Sequence, residues 1–224
     1  MSAPKVLQVG VVLFNGALPL DFIGPSSILS ALSPSSIERN SIETPYAFEI
    51  TNLGETLDDV TCTGNLNIRP GKTYADVREG RAKMDIMLLP GGVGARPWNA
   101  SQALKAFIKW GAGSAEYTLT VCTGSWLLAD TGALNGQRAT TNKAAFLECK
   151  KATAEHTVEW IPEARFVHSG KFWTSSGVSA GIDMACGFVD ELCGKEAGEK
   201  ARDWAEYTSA SEGDDPFAKK CGLI

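Results

Sequence analysis

The sequence predicts an α/β protein with a mostly parallel sheet covered by helices. Strand-like and helix-like segments alternate along the chain, which is the pattern of parallel strands connected by helices. The length of 224 residues and the hydrophobic content of 44% fit one compact domain with an ample core. We expect that domain to span residues 1–210 and a C-terminal tail to span residues 211–224.

Hydrophobic runs and their periodicity predict the individual elements. Apolar runs predict strands at 5–14, 46–53, 84–89, 117–121, 139–141, 166–168 and 172–175. Helical patterns predict helices at 21–32, 101–112, 143–150, 178–192 and 195–207, and another that follows Cys122 and ends near Thr131. We expect Pro34 to end the first helix, and the turn-rich stretch 54–71 leaves room for a short hairpin.

Composition and charge argue against several classes of partner. The net charge of -5 leaves no basic stripe for nucleic acid. The apolar run 6–14 is broken by Asn15 and Asp21 and lacks a basic leader and a cleavage site, so it predicts a first strand rather than a signal peptide. No run approaches the roughly 20 apolar residues that span a bilayer. We therefore expect a soluble, cytoplasmic protein.

The six cysteines predict neither a disulfide framework nor a metal site. They are irregularly spaced and include no CxxC pair. Only His156 and His168 are available as histidine ligands, so a zinc site would need scattered residues, and each histidine is expected at the surface or at a strand end. Cys186 and Cys193 lie in one apolar helical pattern and are expected in the core.

Cys122 is the candidate nucleophile. The apolar strand 117–121 runs into Cys122, Thr123, Gly124 and Ser125 and then into an apolar helix, which is the pattern of a nucleophile elbow. Such a turn holds the side chain up at the sheet edge, and the helix N-terminus favours a thiolate. Thr123 and Gly124 are small, which lets the turn close and leaves backbone N–H groups free for a substrate. A buried structural cysteine is the alternative.

Two other strand ends should meet this elbow, because ligands of an open parallel sheet gather beyond the carboxyl ends of its strands. The first strand leads into Asp21, and strand 84–89 leads into Gly91, Gly92 and Val93. Asp21 is a candidate acid, or else a plain N-cap of the helix that follows. The glycines either present backbone N–H groups to a ligand or form a tight turn. A phosphate-binding loop is excluded here because no GKS or GKT follows.

Apolar side chains near these segments are candidates for a substrate pocket. Trp98 follows the glycine turn and Trp126 follows the elbow, and each is a pocket wall, a core residue or a dimer contact. Ile23, two residues after the candidate acid, is a further candidate for the pocket.

Five segments of the chain together carry a family resemblance. They are Asp21-Phe22-Ile23-Gly24-Pro25, Leu89-Pro90-Gly91-Gly92, Val121-Cys122-Thr123-Gly124-Ser125, Leu134-Asn135-Gly136 with Ala139-Thr140-Thr141, and the string from Thr174 to Asp183. With these segments the chain resembles the PfpI/ThiJ superfamily, the glutamine-amidotransferase-like family that includes the Parkinsonism-associated deglycase. Within that superfamily it is most similar to the isonitrile (isocyanide) hydratase branch.

The resemblance implies a flavodoxin-like three-layer sandwich, usually a homodimer, that acts without a cofactor. Isonitrile hydratases add water to R–NC and release an N-substituted formamide. Cys122 would attack the isonitrile carbon and form a thioimidate-like adduct, which splits one difficult hydration into two steps. Asp21 would supply a proton and then activate water. Thr123 and the backbone at Gly92 and Val93 would stabilise the adduct through hydrogen bonds.

One position departs from the family pattern. Many relatives place a histidine directly after Ala139-Thr140-Thr141, whereas this chain has Asn142 and Lys143. Such a histidine would activate the thiol and protonate an amine leaving group, so its absence argues against peptidase or glutaminase activity. Asn142 remains a candidate hydrogen-bond donor near the cysteine and a candidate pocket residue.

Other functions remain open. A glyoxalase or deglycase-like reaction on small dicarbonyls also begins with attack by a thiolate. In a redox or ligand sensor, Cys122 would oxidise to sulfinate beside Asp21. Sensor domains of transcriptional regulators share the string 174–183, but they carry a helix-turn-helix domain for which this chain is too short.

The last four residues, Cys221, Gly222, Leu223 and Ile224, approach a CaaX prenylation box at Cys221. Gly222 weakens the match, and an ordinary polar tail is the favoured alternative.

Overall fold

The computed structural model describes residues 3–224. Its strands are β1 (Lys5–Val12), β2 (Tyr46–Gly54), β3 (Val60–Thr61), β4 (Asn67–Ile68), β5 (Lys72–Thr73), β6 (Ile86–Leu89), β7 (Tyr117–Thr120), β8 (Arg138–Ala139), β9 (Glu159–Trp160), β10 (Phe166–Ser169) and β11 (Phe172–Ser175). Its α-helices are α1 (Pro19–Ser30), α2 (Pro34–Asn40), α3 (Tyr74–Arg78), α4 (Gln102–Ser114), α5 (Gly124–Asp130), α6 (Phe146–Ala152), α7 (Ala180–Cys193), α8 (Lys195–Trp204) and α9 (Phe217–Lys220).

A mostly parallel central sheet organises the molecule. Seven strands lie in the order β10-β11-β7-β6-β1-β2-β5. The pairs from β11 to β5 are parallel, and the hairpin β10–β11 is antiparallel at one edge. The predicted α/β class with a mostly parallel sheet is therefore confirmed. Two short two-stranded sheets, β3–β4 and β8–β9, lie outside the central sheet.

Helices cover both faces of the central sheet. Tyr117 on β7 packs against Phe188 of α7, with ring centroids 5.2 Å apart. Thr118 follows Tyr117 on β7 and pairs with Met87 on β6. Met87 packs against Gly111 of α4. Because neighbouring side chains on a strand point to opposite faces, α7 and α4 lie on opposite sides of the sheet. The result is the expected three-layer sandwich.

The first two helices begin at prolines, which corrects two predicted boundaries. Helix α1 begins at Pro19 rather than at Asp21, and Pro34 begins α2 rather than simply ending α1. The fixed φ of proline suits the first helical position, where its missing N–H costs no hydrogen bond. The Ser33 side chain accepts a hydrogen bond from Ser36 N–H and caps α2.

Other segments follow the predicted pattern with local differences. The turn-rich stretch contains the antiparallel pair β3–β4. The segment predicted as a strand at 139–141 is the short β8, which pairs with β9 outside the central sheet. Cys186 and Cys193 are buried on α7, as predicted, and all six cysteines are free thiols. Within residues 3–224, no helix is both long enough and apolar enough to cross a membrane.

The C-terminal residues are packed against the rest of the protein rather than extended from it. Asp183 on α7 accepts hydrogen bonds from the Tyr207 hydroxyl at 2.8 Å and from Ala210 N–H at 2.9 Å. Lys143 Nζ lies 3.0 Å from Asp215 Oδ2, and this ion pair is buried on both sides. Further along, Ala218 of α9 is completely buried. A buried ion pair restrains a segment strongly, because breaking it would leave one charge unpaired.

Candidate active site

Cys122 occupies a strained elbow between β7 and α5. Its φ of 58° lies in the left-handed region, which is uncommon for a residue with a Cβ. Cys122 N–H donates to Ser176 O at 3.0 Å, and the hydroxyls of Thr141 and Ser125 each donate to Cys122 O at 3.0 Å. The tertiary structure therefore holds the strained backbone, as is common at functional positions.

The three predicted strand ends meet at this elbow. Strands β7, β6 and β1 are adjacent in the sheet, so their carboxyl ends lie side by side. Gly91 N–H, after β6, donates to Asp21 Oδ2 at 2.9 Å. Gly92 N–H donates to the Thr123 hydroxyl, after β7, at 3.0 Å. Hydrogen bonds thus join all three loops into one site.

Asp21 is a buried acid rather than a helix cap. It is the third residue of α1, where Leu18 occupies the N-cap position, and the N-cap alternative is therefore wrong. Its side chain is completely buried, and Oδ1 has no hydrogen-bond partner. Burial raises the pKa of Asp21 to about 7, while hydrogen bonds from Gly91 N–H and from Cys122 act in the opposite direction. An acid with this pKa exchanges protons near neutral pH.

The resting cysteine is a thiol, which corrects the expectation of a thiolate. Burial, and then repulsion by the Asp21 carboxylate, raise the pKa of Cys122 to about 11. Hydrogen bonds from Thr123 N–H, the Asn142 side chain and Val178 N–H lower this pKa but do not offset the burial. Helix α5 contains 7 residues, and its N-terminus does not compensate for the loss of hydration of a side chain that is 6% exposed.

The backbone N–H groups that were predicted to contact an adduct already donate hydrogen bonds to other groups of the protein. Gly91 N–H is bonded to Asp21, and Gly92 N–H is bonded to the Thr123 hydroxyl, which in turn donates to Gly92 O at 3.2 Å. Gly124 N–H donates within the turn. In the resting protein these N–H groups and the Thr123 hydroxyl hold the loops around the thiol, and their contact with an adduct stays a prediction.

A different set of donors faces the thiol, namely Thr123 N–H, Val178 N–H and the Asn142 side chain. Val178 has a φ of 48°, which is rare for a β-branched residue and persists only where the surrounding structure holds it. A Cβ on Gly177 would lie 2.5 Å from Asn142 Nδ2, so the glycine leaves room for the amide. Val178 was missed as a site residue, although it follows a glycine in the string shared with the family.

The predicted pocket residues separate into core and surface. Trp126 is completely buried, so of the three alternatives stated for it the structure shows the core residue. Trp98 is 64% exposed and meets Trp126 edge to face, with centroids 5.4 Å apart. Val93 is exposed on the surface, and Ile23 lines an open groove on α1 beside Phe22.

His168 lies at the surface in a strand, as predicted, whereas His156 is half-buried in a bend. His168 is exposed on the hairpin β10–β11, where its ring stacks on Trp173 at a centroid distance of 4.0 Å. His156 lies 3.7 Å from a Glu155 carboxylate oxygen. Within residues 3–224, no group of three His, Cys, Asp or Glu side chains is arranged to hold a metal ion.

Position 91 requires glycine, because its loop passes close to the elbow. A Cβ on Gly91 would lie 2.6 Å from Thr123 N and 2.8 Å from Cys122 Cβ. We expect Gly91→Ala to lower the free energy of unfolding by about 1–3 kcal/mol, because the backbone must shift to admit the methyl group. Chemical denaturation measures this loss. The matched control is Gly113→Ala on α4, where a Cβ meets nothing within 4 Å; an equal loss in both variants would contradict the steric explanation.

The fold and the site together define a class of α/β protein with a cysteine at a strand-to-helix elbow and a buried carboxyl group beside it. The model of the DJ-1/PfpI family matches residues 7–191. The chain therefore belongs to the DJ-1/PfpI family.

Individual relatives agree with this assignment. The chain is 30% identical over 205 residues to a protein named isonitrile hydratase from Pseudomonas putida, covering 91% of this chain and 80% of the relative. A THiJ/PfpI family protein from Pseudomonas syringae has a similar structure, with a TM-score of 0.77, 26% identity and coverage of 96% of this chain and 79% of the other. DJ-1beta from Drosophila melanogaster has a TM-score of 0.71 at 20% identity, covering 91% and 100% of the two chains.

Proposed function

We propose that the protein is a cofactor-independent enzyme that adds water to an isonitrile and releases an N-substituted formamide. The observation that carries the proposal is the pair formed by the Cys122 thiol and the buried Asp21, whose pKa is raised to about 7. Hydration needs a nucleophile and one group that both accepts and donates protons at neutral pH, and this pair supplies both. The identity of 30% to the Pseudomonas putida isonitrile hydratase supports the same reaction.

The first half of the proposed reaction moves one proton and forms one bond. The Asp21 carboxylate takes the proton of the Cys122 thiol as the sulfur attacks the terminal carbon of R–NC. Asp21 then delivers this proton to the same carbon, which gives the thioimidate Cys122–S–CH=N–R and restores the carboxylate. The N–H groups of Thr123 and Val178 and the Asn142 side chain stabilise negative charge on sulfur while it forms.

The second half returns the enzyme to its resting form. Asp21 takes a proton from water as the water oxygen adds to the thioimidate carbon, and it passes this proton to the substrate nitrogen. The C–S bond then breaks, the hydroxyl proton passes through Asp21 to the departing sulfur, and R–NH–CHO is released. The sum of both halves converts R–NC and water into R–NH–CHO and leaves the enzyme unchanged.

The thiol pKa favours this reaction over the sensor alternative. Oxidation of a cysteine to sulfinate proceeds through the thiolate, which is scarce at neutral pH when the thiol pKa is about 11. In the hydration, by contrast, Asp21 removes the proton only as the sulfur attacks.

The proposal also includes a homodimer. Leu20 and Ile23 of α1, beside Asp21, are 44% and 43% exposed and leave an apolar surface that a second copy of the chain would cover.

An assay of the purified protein with cyclohexyl isonitrile tests the proposal. We expect N-cyclohexylformamide to accumulate over many turnovers, as measured by liquid chromatography and mass spectrometry. The same preparation is given methylglyoxal and, separately, hydrogen peroxide. Turnover of methylglyoxal without formamide would replace hydration by the glyoxalase-like alternative. Stoichiometric sulfinate at Cys122 without turnover of either substrate would favour the sensor.

A further inference from the structure

The backbone carbonyl of Cys122 accepts hydrogen bonds from two buried side chains. The hydroxyls of Thr141 and Ser125 each donate to Cys122 O at 3.0 Å, and both residues are completely buried. Ser125 is three residues further along the chain and belongs to α5, whereas Thr141 lies in the loop between β8 and α6. Of the two, the Thr141 bond is therefore the one that ties the elbow carbonyl to a separate part of the fold.

The orientation of this carbonyl affects where the sulfur lies. Cys122 has a φ of 58°, and a residue with a Cβ keeps such a conformation only when the surrounding structure holds its peptide groups. The carbonyl carbon and the Cβ are attached to the same Cα, so a shift of the carbonyl moves the sulfur as well. The Thr141 hydroxyl thus acts on the position of the thiol through the backbone.

The residue after Thr141, Asn142, binds the side chain of the same cysteine. Its Oδ1 accepts a hydrogen bond from Ala145 N–H at 3.2 Å, which orients the amide so that Nδ2 is the group that donates toward the Cys122 thiol. Two consecutive residues therefore bind Cys122, Thr141 at the carbonyl and Asn142 at the sulfur. The Thr141 bond thereby also fixes the distance between the sulfur and the donating amide.

The loop that carries Thr141 is anchored on both sides of this residue. Thr140 N–H donates to the Thr174 hydroxyl at 2.9 Å, which joins the loop to β11 of the central sheet. Lys143 Nζ lies 3.0 Å from Asp215 Oδ2 in the buried ion pair described above. Because the loop is restrained at both positions, the Thr141 hydroxyl holds the elbow carbonyl at a defined place.

We propose that Thr141 is a positioning residue of the hydration, which keeps the Cys122 sulfur aligned with both Asp21 and the Asn142 amide. Transfer of the thiol proton to Asp21 requires the two groups to be within hydrogen-bond reach, and a displacement of about 1 Å can lower the rate about 10²-fold. The inference rests on the proposed function for the reaction that it names. The effect of Thr141 on the reactivity of the thiol does not depend on that reaction.

The test compares Thr141→Val, which keeps the shape of the side chain but loses the hydroxyl, with Thr141→Ser, which keeps the hydroxyl. We expect Thr141→Val to lower kcat for cyclohexyl isonitrile about thirtyfold and to change KM less than about twofold, because a positioning residue does not touch the substrate. Thr141→Ser should recover kcat to within about threefold of the wild type, because the hydrogen bond to the carbonyl is kept.

A second measurement is independent of turnover. In a Cys221→Ser background, which removes the exposed cysteine, peptide mass spectrometry follows the rate at which iodoacetamide modifies Cys122. We expect Thr141→Val to slow this modification about tenfold, because the displaced thiol loses its alignment with the proton acceptor Asp21 and with the Asn142 donor. Thr141→Ser should restore the rate.

Thr153→Val is the matched control, because it removes a buried hydroxyl of the same kind that does not bond to the elbow. Thr153 is 2% exposed, and its hydroxyl donates to Cys149 O at 2.9 Å and accepts from Trp160 Nε1 at 3.1 Å. We expect this variant to lose stability and to keep the wild-type kcat and alkylation rate at a temperature where it is folded.

The outcomes distinguish the role of Thr141 from the proposed function. An unchanged kcat or an unchanged alkylation rate in Thr141→Val, equal losses in Thr153→Val, or no recovery in Thr141→Ser would overturn the positioning role. If the wild-type protein does not hydrate the isonitrile, the proposed function fails, and the alkylation rates alone then decide whether Thr141 positions the thiol.

Discussion

Replacing Cys122 by serine is expected to reduce kcat/KM for isonitrile hydration by roughly 10³-fold or more. A serine hydroxyl has nearly the same size, but it is a far weaker acid than a thiol. Asp21, with a pKa of about 7, is too weak a base to deprotonate it at a useful rate. Formamide production, followed over enzyme and substrate concentration, measures the loss.

The control for this variant is Cys193→Ser on α7. Both cysteines are 6% exposed, so the two substitutions bury a hydroxyl to the same degree. We expect Cys193→Ser to retain most of the activity at a temperature where both variants are folded. Undiminished hydration in Cys122→Ser would exclude Cys122 as the nucleophile and with it the proposed mechanism.

Asp21→Asn is expected to lower kcat/KM by about 10² to 10⁴-fold, the usual contribution of a general acid–base group. The amide oxygen can still accept the Gly91 hydrogen bond, so the loop should stay in place, but the amide cannot take the thiol proton. In the wild-type protein, kcat/KM should rise with pH as Asp21 ionises around its pKa of about 7. The variant should lack this rise.

The same substitution should make the protein more stable at alkaline pH. The pKa of Asp21 is raised in the folded protein from its ordinary value of 3.8 to about 7, so the folded state binds this proton more tightly than the unfolded state does. The stability that protonated Asp21 contributes is full below about pH 4 and is lost as the pH rises through about 7.

We therefore expect the free energy of unfolding of Asp21→Asn to exceed that of the wild type by roughly 2–4 kcal/mol at pH 8 and to differ little at pH 4, since one pKa unit corresponds to about 1.4 kcal/mol. Urea denaturation at both pH values measures the difference. A variant that is inactive and equally destabilised at both pH values would indicate a structural role instead. A substitution that raises stability and lowers activity is common at functional sites.

The fold was largely predictable because hydrophobic patterns are local. The strands β1, β6 and β7 are apolar runs that no other element type explains as well, and their adjacency follows from the rules of parallel sheets. The boundary errors arose at Pro19 and Pro34, because proline was interpreted as a residue that ends a helix, whereas it also suits the first helical position.

Part of the candidate site was also predictable from the sequence, and part was not. Cys122, Asp21 and the glycine turn were found because each follows a strand that ends at the same sheet edge. Val178 was not found, because its role depends on a left-handed φ of 48° that no residue type at that position announces. The sequence left Trp126 open between pocket wall, core and dimer contact, because an aromatic residue near an elbow has the same sequence pattern whether it faces solvent or core.

By itself, the sequence determined the fold class, the position of the cysteine at the elbow and the convergence of Asp21 and Gly91 on it, since these follow from the order and polarity of neighbouring residues. Only the tertiary structure decided the protonation of the pair, because a pKa depends on how completely Asp21 and Cys122 are removed from water. It alone also decided which N–H groups face the thiol and how the C-terminal segment packs against the rest of the protein. These properties depend on contacts between residues far apart in the chain, such as Lys143 with Asp215, which local patterns do not encode.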